Sequence, residues 1–231
     1  MKISDFKKEL EKHFDENDLL KPIKMFSSRL IRNQFDSCPD IEGMLSIKKQ
    51  KLLNLTFACL PEKESYFEIG TYKGKSLVSA AQNNPERTIY ACDNFSQFEE
   101  LNNCKSELMS NLTKYKLKDK TIFYDMDFND VFTKSNLSTP VGFYFFDGPH
   151  DYESQYQAIK KVEEFLADEA IIFVDDWRYA RDSKSHAKKG TLDAINESSN
   201  NWDLLYELPA KFNGDHTQWW NGFGVLSFSR K

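Results

Sequence analysis

Long apolar runs are missing from this chain, and with them any segment near the roughly 20 residues that a membrane-spanning helix needs. The opening stretch, MKISDFKKELEKHF, is charged throughout and has no apolar core of the signal-peptide kind. Cysteine is scarce as well. The four residues Cys38, Cys59, Cys92 and Cys104 form no CxxC pair and show no zinc-ligand spacing. Cys59 and Cys92 sit in apolar runs and read as small core side chains, so a reduced, cytoplasmic protein is expected. Positive charge is not in excess either. A net charge of −5 and a pI near 5.5 argue against a nucleic-acid backbone as the main partner, since such proteins carry a basic face.

The residues that are present suit one globular α/β domain. The chain has 231 residues, 40% of them hydrophobic and 29% charged, enough to build a full core and too apolar for disorder. Residues 1–42 read as helical and separate from the rest of the chain. Ile3, Phe6, Leu10 and Phe14 recur at helical spacing, and Pro22 can open a second helix carrying Ile23, Phe26 and Leu30. A third helix, Ser46–Leu60, ends before Pro61. From there strands alternate with helices. Short apolar runs end at Ile69, Cys92, Tyr124, Phe146 and Val174, with helices expected near Ser76–Gln82, Phe98–Leu112, Val131, Tyr152–Leu166 and Leu192–Glu197. Unbroken apolar strands separated by helices predict a parallel sheet covered on both faces. The last two runs, Trp202–Leu208 and Gly222–Ser229, have no helix between them and predict an antiparallel hairpin at one edge of the sheet.

Acidic residues recur where these strands run out: Glu68, Asp93, Asp147, and the pair Asp175-Asp176. Parallel α/β sheets bind ligands in the crevice beyond the carboxyl ends of their strands, so these acids mark a candidate site. In EIGTYKGKS, Gly70 and Gly74 lie between a strand and a helix, where glycine permits a tight turn and close backbone approach. Tyr72 and Lys75 stand where a dinucleotide-binding loop needs glycine. Gly70 is too close to Gly74-Lys75-Ser76 for a phosphate-cradling loop. Asp93 either hydrogen-bonds a ribose or caps the next helix. Asp147, Asp175 and Asp176 end adjacent strands, and three carboxylates in one cleft repel unless protonated or paired with a cation. Hard oxygen donors of this kind suit Mg²⁺ or Mn²⁺. The plainer alternative is that Asp175-Asp176 caps the loop at Trp177 and that His150 caps the helix beginning at Tyr152.

With these motifs in place, residues 43–231 resemble the class I S-adenosylmethionine-dependent methyltransferases, whose Rossmann-like sheet ends in such a hairpin. EIGTYKGKS, FFDGPHDYE and FVDDW are most similar to segments of small-molecule O-methyltransferases of the macrocin and mycinamicin type and of cephalosporin-hydroxylase-like proteins. The resemblance implies that Glu68, Gly70 and Gly74 line the methionine side of the cofactor, with Tyr72 and Ser76 of the same turn, and that Asp93 takes its ribose. It implies a Mg²⁺ held by Asp147, Asp175 and Asp176, with His150 as general base, a role that suits a side chain titrating near neutral pH. The expected reaction is methyl transfer to a hydroxyl of a small molecule such as a sugar or glycosylated metabolite. A metal-independent methyltransferase and a non-catalytic adenosyl-binding module are the alternatives. The aromatic loop Ala210–Asn221 is the expected acceptor contact, and residues 1–42 a lid or the arm of a homo-oligomer.

Overall fold

The computed structural model describes residues 1–14, 37–97, 103–134, 137–177 and 185–231. The expected helix opening at Pro22 lies outside them. The elements are α1 (Ile3–His13), α2 (Ile47–Ala58), β1 (Ser65–Ile69), α3 (Lys75–Ala81), β2 (Ile89–Cys92), α4 (Cys104–Lys114), β3 (Thr121–Tyr124) and α5 (Phe128–Lys134). They continue with β4 (Val141–Phe146), α6 (Tyr152–Val162), β5 (Leu166–Asp175), α7 (His186–Asn196), β6 (Asn201–Leu208) and β7 (Phe223–Ser229). The strands form one sheet in the order β3-β2-β1-β4-β5-β7-β6. All neighbours are parallel except β7, which runs antiparallel to both β5 and β6. The terminal hairpin is therefore present, with β7 inserted between β5 and the edge strand β6. Among the described residues no helix is long and apolar enough to cross a membrane.

The unbroken apolar runs have the expected consequence, because alternate residues of each strand feed two separate cores. Tyr66, Phe143, Phe173 and Phe223 come from β1, β4, β5 and β7. They form a ladder across one face with successive ring centroids 4.7, 4.8 and 4.9 Å apart. Offset and edge contacts of this kind add about 0.5–1.5 kcal/mol each beyond area burial. On this face lie buried side chains of α1, α2, α3 and α4. Phe67, Tyr144, Phe146, Ile172 and Val174 point the other way, where α5, α6 and α7 pack. Phe6 and Leu10 of α1 are buried in the first core, Phe6 edge-on to Phe173 at 6.4 Å. Residues 1–14 thus pack against the sheet.

Two differences from the expected boundaries have local causes. Helix α6 stops at Val162 and a single 3₁₀ turn, Glu163–Phe165, leads into β5. β5 begins at Leu166, before the expected Ala170, because Leu166 pairs with Val141 ahead of a register irregularity that places the extra residues in β5. Helix α7 starts at His186, earlier than its apolar pattern suggests, because Ser185 caps it by accepting from Lys188 N at 3.2 Å.

Close packing continues beyond β5. Trp177 is buried, donates from Nε1 to Glu207 Oε2 at 3.0 Å, and lies against Gly224 of β7. A Cβ on Gly224 would meet the Trp177 ring at 2.3 Å. Gly224→Ala is expected to displace this indole and destabilise the protein by about 1–3 kcal/mol, as overpacked cores do; urea denaturation measures it.

Candidate active site

The register of the sheet brings Ile69, Cys92, Phe146 and Val174 to one edge, so the residues after them open on a common crevice. A cavity of about 300 Å³ lies there. Gly70, Tyr72 and Asp93 line one side, and Asp147, His150, Asp175 and Asp176 the other. Met126, Asp127 and Phe128 after β3 form one end, and Met44, Trp220 and Asn221 the opposite rim. No lysine or arginine lines it among the described residues. An acidic, half-apolar lining of this kind among the described residues suits a neutral or cationic ligand better than a phosphate.

Gly70 holds the two sides together. Its φ is +88°, and a Cβ would lie 2.0 Å from the Asp147 carbonyl oxygen. The neighbouring chains are tied by Asp147 N donating to Ile69 O and Gly70 N donating to Cys92 O, both at 2.9 Å. Asp93 then fixes the following turn. Its Oδ2 accepts from Tyr72 N and its Oδ1 from Phe95 N, each at 2.7 Å. Each oxygen keeps a further lone pair, which is what two vicinal ribose hydroxyls require. Burial raises the Asp93 pKa, partly offset by these backbone donors.

Glu68, Gly74 and Ser76 stand behind the cavity and do not line it. Glu68 is fully buried; Ser76 Oγ donates to its Oε1 at 2.7 Å and the Tyr66 hydroxyl to its Oε2. It pins the end of β1 to the first turn of α3, and loss of water raises its pKa to about 8. An unfolded chain releases that proton near 4.3. The folded state therefore binds an extra proton between those values, and stability falls as pH rises through the window. Glu68→Gln is neutral throughout and is expected to flatten this decline, read as Tm from about pH 5 to about pH 8.

On the other side His150 Nε2 lies 3.3 Å from Asp176 Oδ2 and 4.0 Å from Asp147 Oδ1. Its Nδ1 is buried without a hydrogen-bond partner. Asp176 reaches the imidazole from a left-handed backbone, φ +50°, which is a strained conformation for a non-glycine residue. Burial and then the Asp175 carboxylate hold the Asp147 pKa well above the usual carboxylate range. Asp175 is also raised, by burial first, with Lys49 acting against it.

Lys49 is the functional-site residue that the sequence pattern did not single out. It sits on α2, is fully buried, and its ammonium bonds Asp175 Oδ1. Asp176 N donates to the same oxygen at 2.6 Å, so both lone pairs of Oδ1 are engaged. Among the described residues no group of three or more His, Cys, Asp or Glu side chains could hold a metal ion. The expected Mg²⁺ set of Asp147, Asp175 and Asp176 is gathered in one place, but this donor arrangement does not fit a divalent ion. One signal was available in the sequence: Lys49 falls three and four residues before Leu52 and Leu53, on the apolar face of its helix.

The aromatic loop divides. Trp219 is buried and stacks on Phe223 with centroids 6.4 Å apart, while Trp220 lines the cavity with the His216 ring against it at 4.5 Å. Phe212 is exposed. Asp127 lines the cavity and also caps α5, accepting from Asn129 N at 2.9 Å. Arg178 and Arg181, which could meet an anionic acceptor, lie outside the described residues.

This sheet order is the Rossmann-like arrangement of the methyltransferase structures that the chain resembles. Residues 67–177 match the family described as a methyltransferase domain. Solved structures share the fold at low identity. Cofactor-bound Rv0187 from MTB is 18% identical, with a TM-score of 0.60 over 86% of this chain and 84% of that one. The O-methyltransferase TomG from Streptomyces achromogenes, involved in tomaymycin synthesis and solved with SAM, is 17% identical, with a TM-score of 0.58 over 84% and 83%. An O-methyltransferase from Bacillus cereus, solved with SAH, is 14% identical, with a TM-score of 0.56 over 100% and 92%. No curated protein matches the sequence.

Proposed function

We propose that this protein is an S-adenosylmethionine-dependent O-methyltransferase acting on a hydroxyl of a small molecule. The observation that carries the reading is a single cavity with Asp93 on one side and the His150–Asp176 pair on the other. S-adenosylmethionine supplies a methyl group on a cationic sulfonium, whose C–S bond breaks as an acceptor oxygen attacks. Asp93 holds the ribose through its two free lone pairs, and the Gly70 turn lets the backbone pass close to the methionine portion. The acids around the cavity favour a positively charged ligand, which fits a sulfonium and not a nucleotide phosphate.

His150 removes the acceptor's proton. Nδ1 is buried, so Nε2, the nitrogen facing Asp176, is the one that takes the proton. The imidazolium formed on proton uptake lies 3.3 Å from the Asp176 carboxylate, which stabilises its charge. The remaining work is alignment of oxygen, methyl carbon and sulfur, a matter of positioning and electrostatics. Trp220 and Met44 at the rim provide an apolar surface for the acceptor, in keeping with a sugar ring or a flat scaffold. The Mg²⁺ that the resemblance implies has no group of three or more suitable side chains to hold it among the described residues.

Two measurements test this. Calorimetry with S-adenosylhomocysteine should show binding by the wild type. Asp93→Ala should weaken it roughly ten- to hundredfold, the worth of about 1.5–3 kcal/mol of charged hydrogen bonding; a wild type that binds nothing overturns the reading. With an acceptor in hand, His150→Ala should lower kcat by about 10²–10⁴-fold, the usual share of general-base catalysis. Its affinity for S-adenosylhomocysteine should stay unchanged, and an equal loss of both would remove His150 from proton transfer.

A further inference from the structure

The acid cluster at the ends of β4 and β5 already contains a cation of its own. Asp147, Asp175 and Asp176 converge with His150 at the cavity floor, and carboxylates so gathered repel unless a positive charge lies among them. Lys49 reaches them from beneath, out of α2, whose first turn is fixed by Ser46 Oγ accepting from Lys49 N at 3.3 Å. The lysine side chain is fully buried, and its ammonium lies 5.0 Å from the centroid of the Phe223 ring. An ammonium withdrawn from water is tolerated only where a partner and a hydrogen bond are fixed. Asp175 is that partner. Its Oδ1 receives Lys49 and the Asp176 N–H together, so the same bond that neutralises Asp175 also shapes the left-handed turn carrying Asp176 to His150.

We infer that Lys49 is the resident cation of this site, standing where related enzymes are expected to use a divalent metal, and that the protein works without one. Lys49 is a positioning residue. It touches neither cofactor nor acceptor but holds Asp175, and through the Asp176 backbone sets the carboxylate that orients His150. A divalent ion here would lie beside a buried ammonium that already compensates Asp175, and among the described residues no group of three or more His, Cys, Asp or Glu side chains could hold one. One consequence concerns the acceptor. Metal-dependent sites favour substrates with two neighbouring oxygens that chelate, whereas a His150 base with a fixed ammonium asks only for one hydroxyl.

The inference rests on the methyltransferase reading for the chemistry of the site, and the experiment separates the two. Free Mn²⁺ is followed by electron paramagnetic resonance during titration into protein saturated with S-adenosylhomocysteine. The wild type and Lys49→Arg are expected to show no saturable binding. Lys49→Met is expected to gain one equivalent of bound Mn²⁺, lost again in Lys49→Met/Asp175→Asn. One equivalent bound by the wild type and abolished by Asp175→Asn would overturn the inference. So would a Lys49→Met protein that keeps its S-adenosylhomocysteine affinity and binds no Mn²⁺. Failure of the wild type to bind S-adenosylhomocysteine would instead strike the methyltransferase reading.

Discussion

The carboxyl ends of β1 and β4 meet so closely at Gly70 that no side chain fits between them, and the whole crevice is built around that contact. A Cβ there would overlap the carbonyl of Asp147, and the adjoining Asp147 N–H is committed to Ile69 O. The turn that lines one side of the cavity and the strand end that carries Asp147 are therefore one rigid unit. Asp93 extends the unit to β2 through two backbone bonds. The two sides of the cavity keep their separation because the backbone between them has no slack. Geometry that a flexible pair of loops would have to find on each encounter is set during folding.

Electrostatics then divides the acids by their surroundings. Glu68 is sealed and largely protonated near neutral pH, and it serves the fold by joining β1 to α3. Asp93 is half enclosed, with donors on both oxygens and a lone pair left on each. Asp175 is sealed like Glu68, but its answer to burial is an ammonium, not a proton. Two buried carboxylates on the same sheet thus solve the same desolvation problem by different means. Only the second leaves a fixed charge pair beside the cavity.

Much of this was legible in the sequence. Continuous apolar runs gave the parallel sheet, and the missing helix between Trp202 and Gly222 gave the hairpin, since both arise from local pattern. The crevice was also legible, because strand ends in a parallel sheet share one edge and acids there are conspicuous. Lys49 was hidden because its partner is 126 residues away, and its place on the apolar face of its helix does not by itself point to that partner. The splitting of the tryptophans was hidden for a similar reason. Trp219 and Trp220 are neighbours in composition, and only the turn at Asp215, which pairs back onto Trp220, sends one into the core and the other to the cavity.

That turn has a consequence for how such a protein changes over time. The loop between β6 and β7 closes on itself: Asp215 accepts from Thr217 N at 3.0 Å and Thr217 Oγ at 2.6 Å, and Asn221 Oδ1 accepts from Gly214 N at 2.8 Å. Its two feet stand on the adjacent, paired strands β6 and β7, while its crest carries Trp220 over the cavity. Residues of the crest can be exchanged without disturbing either foot. This rim of the cavity is in this sense an interchangeable part, free to change while the sheet beneath it stays the same.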